Sequence, residues 1–332
     1  MDCLKRLKLV HWVVILLAFA APLFVKSGYL MHILIDTGFF IILVTGLNIV
    51  IGYTGALSLG QQAFLGIGGY TSALLMKNYH LSYLSCLTAA ALLAGIAGLL
   101  IGAVCLRLRS HYFVIVTLAF ALIMELVCIN WVDLTGGPMG MPGIPSPTLY
   151  IPGLVNFTFQ TKTHYYYLVL VMVFIGLYVT YRLIHSRIGR AFIAIRENEE
   201  LAKSMGVNTF GYSLFAFVIS SMYAGVAGSF QAHYLNLVTP DMFGFYSMIT
   251  MLLMIAIGGK GTISGPILGA IIISMLPEFL RMAEMYRLSI FGFLLVIVTL
   301  YIPDGIIYKM MPISNALESW KVRLWRTLSS NS

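Results

Sequence analysis

Residues 187–210 read RIGRAFIAIRENEELAKSMGVNTF, and here Arg187, Arg190, Arg196 and Lys203 sit among Glu197, Glu199 and Glu200. No other interior stretch of the chain is so densely charged. Ile193, Ile195 and Leu201 give it helical character, Glu199 precedes Lys203 by one turn, and Gly206 followed by Asn208 is a stop signal. Residues of these types bind a soluble partner through charge rather than carry out bond chemistry. A solvated loop that serves only to bias topology is the plainer alternative. Ser58, Gln61 and Gln62 form a second polar group inside the apolar stretch NIVIGYTGALSLGQQAFLGIGGY, residues 48–70. A buried amide without a partner is costly, so these side chains either pair within the protein or face a water-filled path. Glu125 is a carboxylate inside an apolar run and is a functional candidate by default; the alternative is an acid snorkelling to the outer end or hydrogen-bonded for structure.

Enzymatic signatures are missing. At Gly259-Lys260 a phosphate-binding loop would need glycine where Met254 stands and Ser or Thr where Gly261 stands. There is no G-x-S-x-G, H-E-x-x-H or C-x-x-C, and His11, His32, His80, His111, His164, His185 and His233 are scattered. Three of the four cysteines, Cys86, Cys105 and Cys128, fall within apolar runs and read as small hydrophobes. This chain is expected to carry no catalytic residue, metal or cofactor of its own.

The elements that must position these residues are membrane spans. Of the 332 residues, 60% are hydrophobic and only 10% charged, with mean hydropathy +0.92, which makes this an integral membrane protein. The expected fold is an all-α polytopic bundle of about ten segments, near 9–25, 29–51, 55–76, 83–106, 112–132, 164–184, 211–234, 241–258, 262–279 and 288–304, some of them Gly-broken or re-entrant. The whole chain, 1–332, reads as one transmembrane domain. The formal charge of +8 does not indicate nucleic acid, because the cations lie between apolar runs rather than on one face.

With the N-terminus in the cytoplasm, fifteen Lys and Arg fall on the cytoplasmic side and five outside, which favours this orientation with both termini inside. The first span carries a cleavage-like Ala18-Phe19-Ala20; it is read as retained, since many spans follow. The charged stretch and a tail at about 305–332 are then cytoplasmic. A Gly- and Pro-rich segment at about 133–163 becomes an outer loop roughly thirty residues long. Gly258 to Ala270 is a second Gly-rich break. Together with residues 48–70 it makes the pair of interrupted segments that an internally duplicated transporter would show.

Several stretches in order resemble the membrane subunits of ABC importers for branched-chain amino acids, nearer the LivM-like than the LivH-like subunit. They are Gly46-Leu47-Asn48, Gly52-Tyr53-Thr54-Gly55, Leu57-Ser58-Leu59-Gly60, Thr117-Leu118-Ala119-Phe120, Thr135-Gly136-Gly137-Pro138, Gly189-Arg190, Ala194-Ile195-Arg196-Glu197-Asn198-Glu199 and the Gly258–Ala270 run. The resemblance implies a permease of the bacterial inner membrane working with a second, LivH-like permease, two ATPases that hold ATP and Mg²⁺, and an extracytoplasmic binding protein. Such permeases carry a cytoplasmic E-A-A-x-x-x-G-like loop that docks on the ATPase. Glu200, Ala202 and Gly206 fit it and Leu201 departs from it, with Arg190, Arg196, Glu197 and Glu199 around them. Ser58, Gln61, Gln62 and Glu125 are the expected substrate-pathway residues. Urea or short amides are alternative solutes within the family. An ion-coupled secondary transporter using Asp36 and Glu125 is the alternative outside it, and a non-transporting scaffold is a third reading.

Overall fold

The computed structural model describes residues 27–108, 110–149, 157–159, 161–279, 286–301 and 305–307, together with 19, 21 and 22. The expected first span at 9–25 and the expected tail at 305–332 lie almost wholly outside the described residues, as does part of the expected outer loop.

Helix α1, Gly28–Asn48, is apolar all round and runs on through a π-helical turn, Ile49–Thr54. Gly55, at φ 77°, ends it in the left-handed conformation that glycine adopts without steric cost. Residues 55–60 are non-helical, and α2 begins at Gln61 and ends at Tyr79. The expected boundary between spans near 51–55 is therefore corrected: the first helix is longer and the second starts later. Protein groups take up the polar backbone that this break exposes, as a chain at membrane depth requires. Thr54 Oγ1 donates to Val50 O at 2.7 Å, Leu59 N donates to Thr117 Oγ1 at 3.2 Å, and Gly60 N donates to Ser58 Oγ at 3.3 Å.

Helices α3, Tyr83–Cys105, and α4, Ser110–Asn130, lead into the long Gly- and Pro-rich loop. Beyond it come α5, Lys162–Ile184, the short α6, Arg187–Glu197, and α7, Glu199–Ser204. The chain continues with α8, Thr209–Leu235, α9, Phe245–Gly258, α10, Ser264–Phe279, and α11, Arg287–Tyr301. Among the described residues, six helical stretches are long and apolar enough to cross a membrane, and Ser264–Pro277 and Leu288–Tyr301 are shorter apolar helices. The number falls below the ten expected partly because α2, with Gln61, Gln62 and its glycines, is too weakly apolar to qualify, and partly because the first span lies outside the described residues.

Helix α8 is the centre of the bundle, packed against both α2 and α3. Small residues bring the backbones together: a Cβ on Gly68 would lie 2.3 Å from Gly225 O, and one on Gly98 would lie 2.3 Å from Ser221 Oγ. Close packing of this kind holds helices together where lipid removes the hydrophobic drive for association. Side chains from α2, α4 and α8 fill the core around the edge-to-face pairs Phe64–Phe217 and Phe113–Phe217.

The all-α expectation needs one small amendment, because the loop between α4 and α5 takes part in short strand pairings. β1, Met141–Pro142, pairs antiparallel with β4, Leu237–Val238; β2, Thr148–Leu149, pairs with β3, Phe157–Thr158. This end of the bundle also holds Lys77, which donates to Pro142 O, and Lys162, which donates to Gly28 O. Arg107, stacked on Phe210, and Arg196, bonded to Gly52 O, are at the opposite end.

Candidate functional site

Ser186 caps α6, its Oγ accepting from Ile188 N at 3.1 Å. Gly189, Phe192 and Ile195 recur at helical spacing and are buried, so one face of α6 lies on the bundle while Arg187 and Arg190 face outward. The single charged helix expected over residues 187–210 is in fact two. Asn198, extended at φ −162° and ψ 108°, ends α6, and its Oδ1 accepts from Leu201 N at 2.9 Å to start α7. A side chain that caps the following helix competes with continuation of the preceding one.

Gly206, at φ 84°, does stop α7. Gly206 N donates to Lys203 O and Val207 N to Ala202 O, the paired bonds of a left-handed helix terminus. Asn208, read from sequence as part of that stop, instead caps α8 by accepting from Gly211 N at 3.0 Å. Glu199 and Lys203 form no ion pair; Arg196 binds Glu197 at 2.9 Å. In α7 and its cap, Ala202 is buried while Glu199, Glu200, Lys203 and the apolar Leu201 and Met205 are exposed, Met205 at 78%. A cavity of about 460 Å³ opens between α6 and the turn into α8, lined by Arg187, Arg190, Met205, Gly206, Asn208 and Tyr212. The exposure of Leu201 and Met205 was not foreseen, although two apolar residues on a helix with only one buried small residue between them were a usable signal.

The two Gly-rich breaks meet beneath α6. Asn48, 1% exposed at the end of α1, donates through Nδ2 to Thr262 O at 2.8 Å and accepts at Oδ1 from Gly261 N at 3.0 Å. Arg196 donates through Nη1 to Gly52 O at 3.0 Å, while its Nε and Nη2 bond Glu197. In the sequence, Asn48 stands out only as the last residue of Gly46-Leu47-Asn48. A buried Asn in a span, obliged to find partners, was the signal that it binds something distant.

The expected pathway residues are separated by their bonding. Gln61 is fully engaged: Nε2 donates to Ser220 O at 2.9 Å and Oε1 accepts from Ser220 Oγ at 3.0 Å, joining α2 to α8. Gln62 is equally buried, yet its Oε1 has no partner. Ser58 Oγ accepts from Gly60 N inside the break. Glu125 lies apart, toward the C-terminal end of α4, with Oε1 3.1 Å from where a Cβ on Gly244 would stand. On the same stripe of α2 as Gln62, Tyr70 packs edge-to-face on Phe243 and its buried hydroxyl is unpartnered. Asp36, the other acid of the ion-coupled alternative, has His32 at 3.5 Å; His32 also bonds Tyr234 Oη. Among the described residues, no group of three or more His, Cys, Asp or Glu is arranged to hold a metal ion.

The family model described as "Branched-chain amino acid transport system / permease component" matches residues 29–299. The chain is 35% identical to the high-affinity branched-chain amino acid transport system permease protein LivM of Escherichia coli, over 90% of this chain and 74% of that protein. It is 34% identical to LivM of Salmonella typhimurium, over 92% of this chain and 76% of that one, and 26% identical to the LivH permease of the same organism, over 79% and 89%. No solved structure matches. With six helices among the described residues long and apolar enough to cross a membrane, a polar break and a family match across most of its length, this chain belongs to the permease components of branched-chain amino acid transport systems.

Proposed function

We propose that this chain forms part of the translocation path of an ABC importer for branched-chain or related small neutral amino acids, with α6 and α7 receiving a partner ATPase. The observation that carries this is the division of labour in residues 187–206. Gly189, Phe192, Ile195 and Ala202 grip the bundle, while Arg190, Glu199, Glu200, Leu201 and Met205 are left free to bind a soluble protein. An exposed apolar pair ringed by charge is the composition of a docking surface. Gly206 ends α7 in a tight left-handed terminus, which makes the short helix rigid enough to pass on movement.

The assembly is a LivH-like second permease, two ATPases holding ATP and Mg²⁺, and an extracytoplasmic binding protein. It sits in the bacterial inner membrane with both termini of this chain, and the α6–α7 end, in the cytoplasm; the excess of Lys and Arg at that end supports this orientation. Of the expected path residues Ser58, Gln61, Gln62 and Glu125, Gln62, whose carbonyl is free, is the one offered to solute, while Gln61, bonded to Ser220, holds the wall behind it.

The test is co-purification. Wild-type chain retains the ATPases, and Glu200→Arg or Gly206→Pro, made on the exposed rim, loses them along with ATP-driven leucine uptake. Full retention of ATPase and uptake in both variants would sink the docking assignment. Accumulation driven by an ion gradient in vesicles without ATPase would replace the importer reading with a secondary transporter.

A further inference from the structure

We infer, on the reading that α6 and α7 receive an ATPase, that Arg196 is the positioning residue tying the docking helix to both helix breaks, so that α6, residues 48–55 and residues 259–262 move as one body. Arg196 stands in the last turn of α6 with its stem against Gly55: a Cβ on Gly55 would lie 3.2 Å from Arg196 Cγ. Its guanidinium reaches Gly52 O in the π-helical end of α1, a helix terminus whose unpaired carbonyls attract a cation. Glu197 holds the other two donors and fixes the direction of the fork.

The second break is joined to the first at the same point. Asn48 pairs with the backbone of Gly261 and Thr262 in the manner of one peptide group meeting another. The crossing is too close for side chains. A Cβ on Gly261 would come within 2.5 Å of Arg196 Nη1 and 2.8 Å of Gly52 O, and one on Gly52 would come within 2.4 Å of Gly261 N. Gly305 closes over the same place, where its Cβ would meet Gly259 Cα at 2.3 Å.

Three chain segments far apart in sequence therefore share one hydrogen-bonded contact, and among the described residues the only long side chain entering it comes from the docking helix. A push on α6 reaches the α1–α2 break through Arg196 and the α9–α10 break through Asn48. Neither break can slide past the other without parting these bonds, and the parted groups would be left without partners at membrane depth.

The experiment uses the full complex reconstituted with leucine as the solute, reading leucine moved per ATP hydrolysed. Arg196→Met keeps the ATPases bound, keeps hydrolysis within about threefold of wild type, and lowers that ratio at least tenfold. A merely structural role would lower hydrolysis, uptake and assembly together and leave the ratio unchanged, and that result overturns the inference. The double variant Gly55→Cys/Arg196→Cys places Cβ atoms 3.7 Å apart, inside the range for a disulfide. Reduced, it is uncoupled like Arg196→Met; oxidised with copper phenanthroline, it regains at least half the wild-type ratio. Because the two states are one polypeptide, this comparison stands even if Arg196→Met is poorly made, and Gly55→Cys alone, which carries the strain of a side chain at φ 77°, is the reference against which both states are read. An oxidised form as uncoupled as the reduced one refutes movement as one body. Failure of the wild-type chain to retain any ATPase defeats the docking reading instead, and is seen before either variant is measured.

Discussion

Gln61 and Gln62 are adjacent in sequence and equally buried, yet replacing each by leucine should have opposite consequences. Gln61→Leu removes two bonds to Ser220 and leaves the Ser220 hydroxyl facing an apolar side chain between α2 and α8. Interhelical hydrogen bonds in membranes average about 0.6 kcal/mol each, with about 1.7 at most. Two lost bonds and one stranded hydroxyl therefore cost about 1–3 kcal/mol. Gln62→Leu gives up an amide whose Oε1 already lacks a partner, so its stability should stay within about 0.5 kcal/mol of wild type or rise. The assay is equilibrium unfolding of the purified chain in mixed micelles of mild detergent and dodecyl sulfate, followed by circular dichroism, with leucine uptake measured on the same variants in the reconstituted complex. Gln61→Leu should shift the midpoint to lower dodecyl sulfate with uptake reduced in proportion to folded protein. Gln62→Leu should leave the midpoint in place and reduce uptake per folded complex at least fivefold. Equal destabilisation of both variants would refute the bonding argument, and undiminished uptake in Gln62→Leu would remove this residue from the path.

Two further outcomes follow from the packing. Gly68→Ala puts a methyl 2.3 Å from the Gly225 carbonyl, where only backbone could yield, so it should destabilise by about 1–3 kcal/mol in the same unfolding assay, while Gly292→Ala, with no heavy atom within 4 Å, should change little; similar values for the two would contradict the helix contact. At the other end, His233 bonds Ser72 Oγ at 2.8 Å and Pro145 O at 2.9 Å and packs edge-to-face on Tyr83, so His233→Ala should release the outer loop and speed its proteolysis several-fold, whereas unchanged cleavage would mean the strand pairing alone holds that loop.

Much of this molecule is legible in one dimension because the bilayer imposes one-dimensional rules. Apolar runs near twenty residues must be helices, cations collect at one end, and a charged segment between two spans must lie in water. The existence of α1, α3, α4, α5, α8 and α9, the exposed helical character of residues 187–206 and the stop at Gly206 all follow from composition and spacing. Family membership was likewise present in the order of the short motifs. What composition could not decide was partnership. Asn198 and Asn208 are both good caps, and only the chain geometry settled that each starts a helix. Gln61 and Gln62 are the same residue type one position apart, but a helix turns about 100° between them, so one meets Ser220 and the other does not. The two glycine-rich breaks lie more than two hundred residues apart, and nothing local to either says that Asn48 will bridge them. Hydrogen bonds between distant segments depend on where the bundle places each backbone, and that placement is set by the close packing of α8 against its neighbours, which exists only in the folded chain.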